Sequence, residues 1–183
     1  QAQTPLFDEG GIHLDVLSSK LVPGRSNAIA TAEDDLNRAL AVYQTNENRL
    51  KAIGVTVYPT SDELREWVES HKQLANVMDD STTQIVGDRV DTIPKVEPLK
   101  PTITMPNGKT VATNDSNNLK DGTKSYASDG TSVQSRLSDV TGKLQALNNV
   151  RLKYYQSLTE ASRALNQTLS VDALGEDKVP EEF

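Results

Sequence analysis

The feature that most constrains this chain is a heptad repeat in its C-terminal third. Leu137, Leu144, Leu158 and Leu165 share one heptad position, interrupted only by Arg151. Val133, Val140, Leu147, Tyr154, Ala161 and Thr168 share the other. Apolar residues at two positions of every seven form the seam of a helix that packs along another helix. Thr131 and Gln134 are spaced as a capping box, Gly142 falls off the seam, and Gly175 and Pro180 are the stop signals. The pattern predicts a helix over 131–172, roughly 60 Å long at 1.5 Å per residue, followed by a flexible acidic tail over 173–183. A helix that long cannot lie inside a globule of 183 residues. It must project, or be flanked along its length by other helices.

Two further segments supply flanking helices. Over 28–53, Ile29, Leu36, Tyr43 and Leu50 recur every seventh residue, with Ala32, Ala39, Asn46 and Ile53 at the second seam position and Gly54 as the stop. Asn46 is either a register-fixing polar group or a solvated break in the seam. Residues 54–59, Gly-Val-Thr-Val-Tyr-Pro, read as a connector, after which Thr60 and Glu63 form a capping box. Leu64, Trp67, Val68, His71, Leu74, Met78 and Ile85 then mark one face of a helix over 61–86. Residues 60–86 carry six acidic and two basic side chains, whereas 131–170 carry five basic and two acidic. Opposed signs favour pairing these helices with each other over self-pairing. A weaker pattern, Leu14, Leu17 and Leu21 before Pro23-Gly24, predicts a short helix over 12–22.

Residues 88–130 have a different character. Pro94, Pro98, Pro101 and Pro106 exclude a continuous helix. Thr102–Met105 and Lys109–Thr113 flank Asn107-Gly108, the signature of a small β-hairpin. Residues 114–130 are polar and read as a loop or a weakly ordered insert. The insertion nevertheless holds Ile93, Val96, Leu99, Ile103, Met105, Val111 and Leu119, and the N-terminal segment holds Leu6, Phe7 and Ile12 beside Gly10-Gly11. Apolar groups outside any periodicity point to contacts with another protein. Leu6, Phe7, Ile12, Ile93, Val96, Leu99, Ile103, Met105 and Val111 are therefore the candidate partner-contact residues. The competing reading is that both segments fold back and cap the helices.

The fold class is thus mainly α: a single elongated antiparallel coiled-coil bundle, with a Pro-rich insertion containing a small β-hairpin. A composition of 36% hydrophobic and 4% aromatic residues is thin for a thick core and adequate for a narrow seam.

Chemistry is sparse. There is no cysteine, and His13 and His71 stand far apart, so neither a thiolate nor an ordinary transition-metal site is expected. No nucleophile elbow, phosphate loop or dinucleotide fingerprint is present. Asp34-Asp35 and Asp79-Asp80 read as solvated surface, because adjacent residues on a helix point apart. Trp67 and Tyr154 lie on seams and read as packing residues, while Tyr155 sits just off one. Asn114 and Asn166 open Asn-x-Ser/Thr triplets too common to assign. A net charge of -7 disfavours nucleic acid as a partner, and no apolar run approaches the roughly 20 residues of a membrane span. The expectation is a protein without catalytic residues, cofactor or metal.

The run Val140-Thr141-Gly142-Lys143-Leu144-Gln145-Ala146-Leu147-Asn148-Asn149-Val150 resembles the C-terminal helix of type III secretion needle-tip proteins. Their pattern there is V-T-x-K-L-x-x-L-N-x-V. The order of helix, mixed insertion and long last helix is also similar to that family and to its needle-extension filament relatives. The resemblance implies an exported, non-enzymatic assembly subunit at the cell surface, with other protein subunits, or further copies of itself, as partners. The start at Gln1-Ala2-Gln3, without methionine, fits a processed chain or a trimmed one. It suits an alternative reading, a periplasmic or membrane-peripheral accessory subunit. A phage or virion structural protein is a third.

Overall fold

The computed structural model describes residues 7–8, 11–12, 23–75 and 90–182. In chain order the elements are β1 (Phe7–Asp8), β2 (Gly11–Ile12), α1 (Pro23–Lys51), β3 (Thr56–Tyr58), α2 (Ser61–His71), β4 (Thr102–Thr104), β5 (Thr110–Ala112), β6 (Lys120–Asp121), β7 (Lys124–Ser125) and α3 (Ala127–Glu182). The fold is mainly helical, with a small antiparallel sheet. Two compact units divide the chain. One comprises Gln1–Ile29, Gln73–Ile93 and Asn149–Phe183, and the other Ala30–Lys72 and Pro94–Asn148.

α1 carries the predicted seam. Ile29, Ala32, Leu36, Ala39, Tyr43, Asn46 and Leu50 are all buried, whereas Ile53 lies beyond the helix and is exposed. The stop is a Schellman turn. Val55 N–H donates to the Leu50 carbonyl at 2.9 Å and Gly54 N–H to that of Lys51 at 3.0 Å. Gly54 takes the left-handed conformation this turn requires, φ 82°, and the fully buried Leu50 and Val55 complete it. At its other end α1 starts at Pro23, whose fixed φ suits a first helical position. Of the helix expected over 12–22, Ile12 belongs to β2 and 13–22 lie outside the described residues.

The connector is a strand. β3 pairs antiparallel with β4, and β4 with β5, in the order β3-β4-β5. Val57, Ile103 and Val111 stand in register across the three strands. All three are buried, at 7%, 0% and 7% exposure, and form one apolar row on the inner face. The hairpin turn holds three residues, Pro106, Asn107 and Gly108. Met105 N–H donates to the Lys109 carbonyl, Gly108 N–H donates to the Met105 carbonyl, and Gly108 has φ 88°.

α2 begins where predicted. Glu63 N–H donates to Thr60 Oγ1 and Thr60 N–H to Glu63 Oε1. It does not reach residue 86. The helix closes at His71, Lys72 is extended and Leu74 has φ 51°. Side chains take over the last carbonyls: Ser70 Oγ and His71 Nδ1–H both donate to the Trp67 carbonyl, each at 2.8 Å. Asn148 Nδ2 donates to the carbonyl of His71 itself. Leu64 and Val68 are buried, but Trp67, His71 and Leu74 are only half-buried. Met78 and Ile85 lie outside the described residues.

Several of the insertion's apolar residues belong to the chain's own core. Val96, Ile103, Met105, Val111 and Leu119 are buried within the chain, so Val96, Ile103, Met105 and Val111 offer no apolar surface to a partner. The hairpin gains a third strand from β3, and that pairing gives its apolar residues an inner face. The stretch expected as a loop holds a second hairpin, β6–β7, whose turn uses Gly122 at φ 66°.

α3 starts at Ala127, one turn before the expected 131. Thr131 therefore sits one turn into the helix, where its hydroxyl donates back to the Ala127 carbonyl instead of capping. Gly130, in the first turn, is closely packed. A Cβ there would stand 2.6 Å from the Thr113 carbonyl oxygen and 2.8 Å from Leu119 Cδ1. Val133, Leu137, Val140, Leu144, Leu147, Arg151, Tyr154 and Leu158 are buried along the predicted rows. The helix runs through Gly175 and Pro180 to Glu182, so helix occupies most of the stretch expected as a tail. Glycine costs a helix only about 1 kcal/mol, and a proline two residues from the end removes one bond near the terminus.

In the unit containing Asn149–Phe183, Gln156 Nε2 donates to the carbonyls of Val90 and Asp91. Arg151 Nη1 reaches the Gln73 carbonyl at 3.4 Å. Tyr155, uncommitted in the sequence, is buried there.

Candidate functional site

The side of α1 that borders its seam at Asn46 carries a groove of about 310 Å³. Its lining is Arg38, Ala41, Val42, Thr45, Asn46 and Arg49 from α1, and Arg136 from α3. The floor is apolar, built from Ala41, the arginine stems and Val42, which is 41% exposed. The rim is cationic. Arg38 Nη1 meets Asp35 Oδ1 at 3.3 Å. Arg49 Nη2 meets Asp129 Oδ1 at 3.1 Å, which ties the end of α1 to the first turn of α3. Arg136 is exposed and has no hydrogen-bond or ion-pair partner among the described residues. Three guanidinium groups face two carboxylates, so the groove is locally positive on a chain of net charge -7.

Asn46 explains how one rim group is held. It is 7% exposed, and its Oδ1 accepts from Arg49 Nε at 3.3 Å and Nη2 at 3.2 Å. Asn46 is therefore not a solvated break in the seam, and its bond within α1 positions Arg49.

The groove escaped the sequence reading, which followed the seam alone. The signal was there. Arg38, Val42, Thr45 and Arg49 are spaced four, three and four apart, a second stripe on one face of the same helix. Arg136 could not be found this way, because only the fold brings α3 beside that stripe.

The residues singled out by sequence are scattered. Val96, Ile103, Met105 and Val111 are interior, Ile93 and Leu99 are half-buried, and none of them lines the groove. Phe7 and Ile12 are cross-strand partners in β1–β2. Leu6, His13 and Asp79-Asp80 lie outside the described residues. His71 caps α2, with its ring 4.5 Å from that of Trp67. Asp34 is exposed, and Asp35 pairs with Arg38.

Other polar groups have structural partners. Tyr43 Oη donates to the Pro59 carbonyl at 2.6 Å. Burial, with the Glu47 and Glu63 carboxylates adding to it, pushes its phenol well above the usual tyrosine range. Glu47 is 4% exposed and accepts from Ser61 N–H at 3.1 Å. A smaller hollow of about 180 Å³, lined by Val90, Tyr155, Gln156, Thr159, Glu160 and Arg163, has its Gln156 and Thr159 side chains bonded to backbone carbonyls. Among the described residues no group of three His, Cys, Asp or Glu is placed to hold a metal ion, and no helix is long and apolar enough to cross a membrane.

Comparison with protein-family models, with curated proteins and with solved structures gave no match for this chain.

Proposed function

We propose that this chain is a non-enzymatic structural subunit of an extracellular or cell-surface assembly, and that the arginine-rimmed groove is where another protein subunit docks. The groove carries the proposal. An apolar floor edged by arginines is the composition of a protein interface, where arginine is enriched and apolar area lies at the centre. A small-molecule site would be more enclosed. In this reading α1 and the first half of α3 form an antiparallel coiled coil as scaffold. The buried heptad rows support that pairing, as do the Arg49–Asp129 bridge and the place of Arg136 in a groove of α1. The likeness of residues 140–150 to needle-tip proteins supports a secretion needle as the assembly.

The test is a photo-crosslinking amino acid at Val42, in cells that make the chain. The expected result is a covalent adduct with a subunit of a surface assembly. The same probe at exposed Lys124, in the β6–β7 hairpin, should give none. Equal labelling from both positions, or no adduct from Val42 in an assembled sample, refutes the groove as the docking surface.

A further inference from the structure

The exposed face of α2 has the chemistry the groove lacks. Asp62, Glu63, Glu66 and Glu69 are all exposed, while Leu64 and Val68 point inward. At 3.6 residues per turn the four carboxylates share one arc. Half-buried Trp67 stands at its edge, next to Glu63 and Ser70 on the helix surface. Glu63 is engaged in the capping box and Glu69 with Lys72. Asp62 and Glu66 have no partner among the described residues, and neither has Arg136.

We propose that the occupant of the groove is α2 of a second copy of this chain. Glu66 and Asp62 would face the arginine rim, and Trp67 would lie over Val42 and an arginine stem. The proposal rests on the groove being a protein-docking surface and names its partner. Charge complementarity argues for it: four carboxylates and an aromatic ring meet three guanidinium groups and an apolar floor. Tryptophan and arginine are also the residues that most often anchor interfaces, and a guanidinium stacks well on an indole.

The two surfaces cannot close a two-fold pair. α2 is tied to α1 on the side of Gln44 and Glu47, through Arg65 Nη2 donating to Gln44 Oε1 and Ser61 N–H donating to Glu47 Oε1. The groove residues Arg38, Val42, Thr45 and Arg49 lie on the opposite side of α1. Each copy therefore offers a groove on one side and an acidic helix on the other, a head-to-tail arrangement that propagates as a chain or closes as a ring.

The experiment is sedimentation velocity on the purified full chain, from about 5 to about 500 μM, the range in which small interfaces assemble. At low salt the wild-type chain should grow beyond a dimer with concentration. It should return to monomer near 1 M salt, where screening acts within about 3 Å. R136E and E66K, each checked for native circular dichroism, should remain monomeric. An equimolar mixture of the two should associate again, because each variant keeps one intact surface and the two reversed charges are complementary. R38E and D62K replace either variant that does not fold. A monomeric wild type at every concentration, unchanged assembly in both variants, or a mixture that stays monomeric overturns the proposal. A Val42 adduct with a different protein, alongside a monomeric wild type, leaves the docking surface standing and removes self-pairing alone.

Discussion

Two glycines on α3 make opposite predictions for the same substitution. Glycine in a helix interior costs about 0.5–1 kcal/mol relative to alanine, because its backbone loses more freedom on folding. Where space allows, Gly→Ala should recover that amount. At Gly142 nothing lies within 4 Å of a new Cβ, so Gly142→Ala should stabilise the chain by about 0.5–1 kcal/mol. At Gly130 the new Cβ would meet the Thr113 carbonyl oxygen at 2.6 Å and Leu119 Cδ1 at 2.8 Å. Ordinary contacts begin near 3.5 Å, so at least one neighbour must move most of an ångström. Leu119 is fully buried and the Thr113 oxygen belongs to the backbone, so neither yields easily. Overpacking of this kind costs about 1–3 kcal/mol, which exceeds the gain in helix propensity. Gly130→Ala should therefore destabilise by about 1–2 kcal/mol net. Urea denaturation followed by helical circular dichroism reads both signs. At a slope of about 2 kcal/mol/M, the midpoint should rise by about 0.3–0.5 M for Gly142→Ala and fall by about 0.5–1 M for Gly130→Ala. Stabilisation by both substitutions would refute the close approach of α3 to the Thr113–Leu119 turn.

Other consequences follow from burial. Ile103→Ala should cost about 2–5 kcal/mol, while Tyr58→Ala on the neighbouring strand, 46% exposed, should fall within about 0.5 kcal/mol of wild type; equal small effects would return the hairpin to the status of a surface module. Because the folded chain holds the Tyr43 proton above the usual range, while the unfolded chain releases it near pH 10, the stabilisation is complete below that pH and lost as pH rises further. Tyr43→Phe should cost about 0.5–1.5 kcal/mol at neutral pH and shrink the loss of stability as pH rises above about 10. An alkaline decline identical to wild type would place the sensitive group elsewhere.

The groove and the acidic face of α2 both consist of surface residues, which explains why a reading aimed at the core passed over them. Seam residues announce themselves by period, because burial demands apolar side chains at fixed spacing. A docking surface needs only charge and a little apolar area, which on an exposed helix looks like ordinary solvation. Val42 stands among polar neighbours and carries no weight until Arg136 is seen beside it.

What the sequence determined by itself is local. The seam rows of α1 and α3, the Thr60–Glu63 box, the Gly54 stop and the 102–112 hairpin all arise from side chains within a turn or two of each other. Period, cap and turn chemistry are therefore complete in the linear text. What tertiary structure decided depends on groups far apart in the chain. β3 becomes a strand because β4 satisfies its backbone, and the same pairing turns Ile103, Met105 and Val111 from apparent contact residues into core. α2 stops at His71, although apolar spacing continues through Leu74, and Asn148, 77 residues away, takes the carbonyl at its end. Gly130 looks like a loop glycine until Leu119 and Thr113 close on it. In each case a backbone group or a volume is claimed by a partner that sequence spacing does not specify, and only the assembled chain brings that partner within a few ångströms.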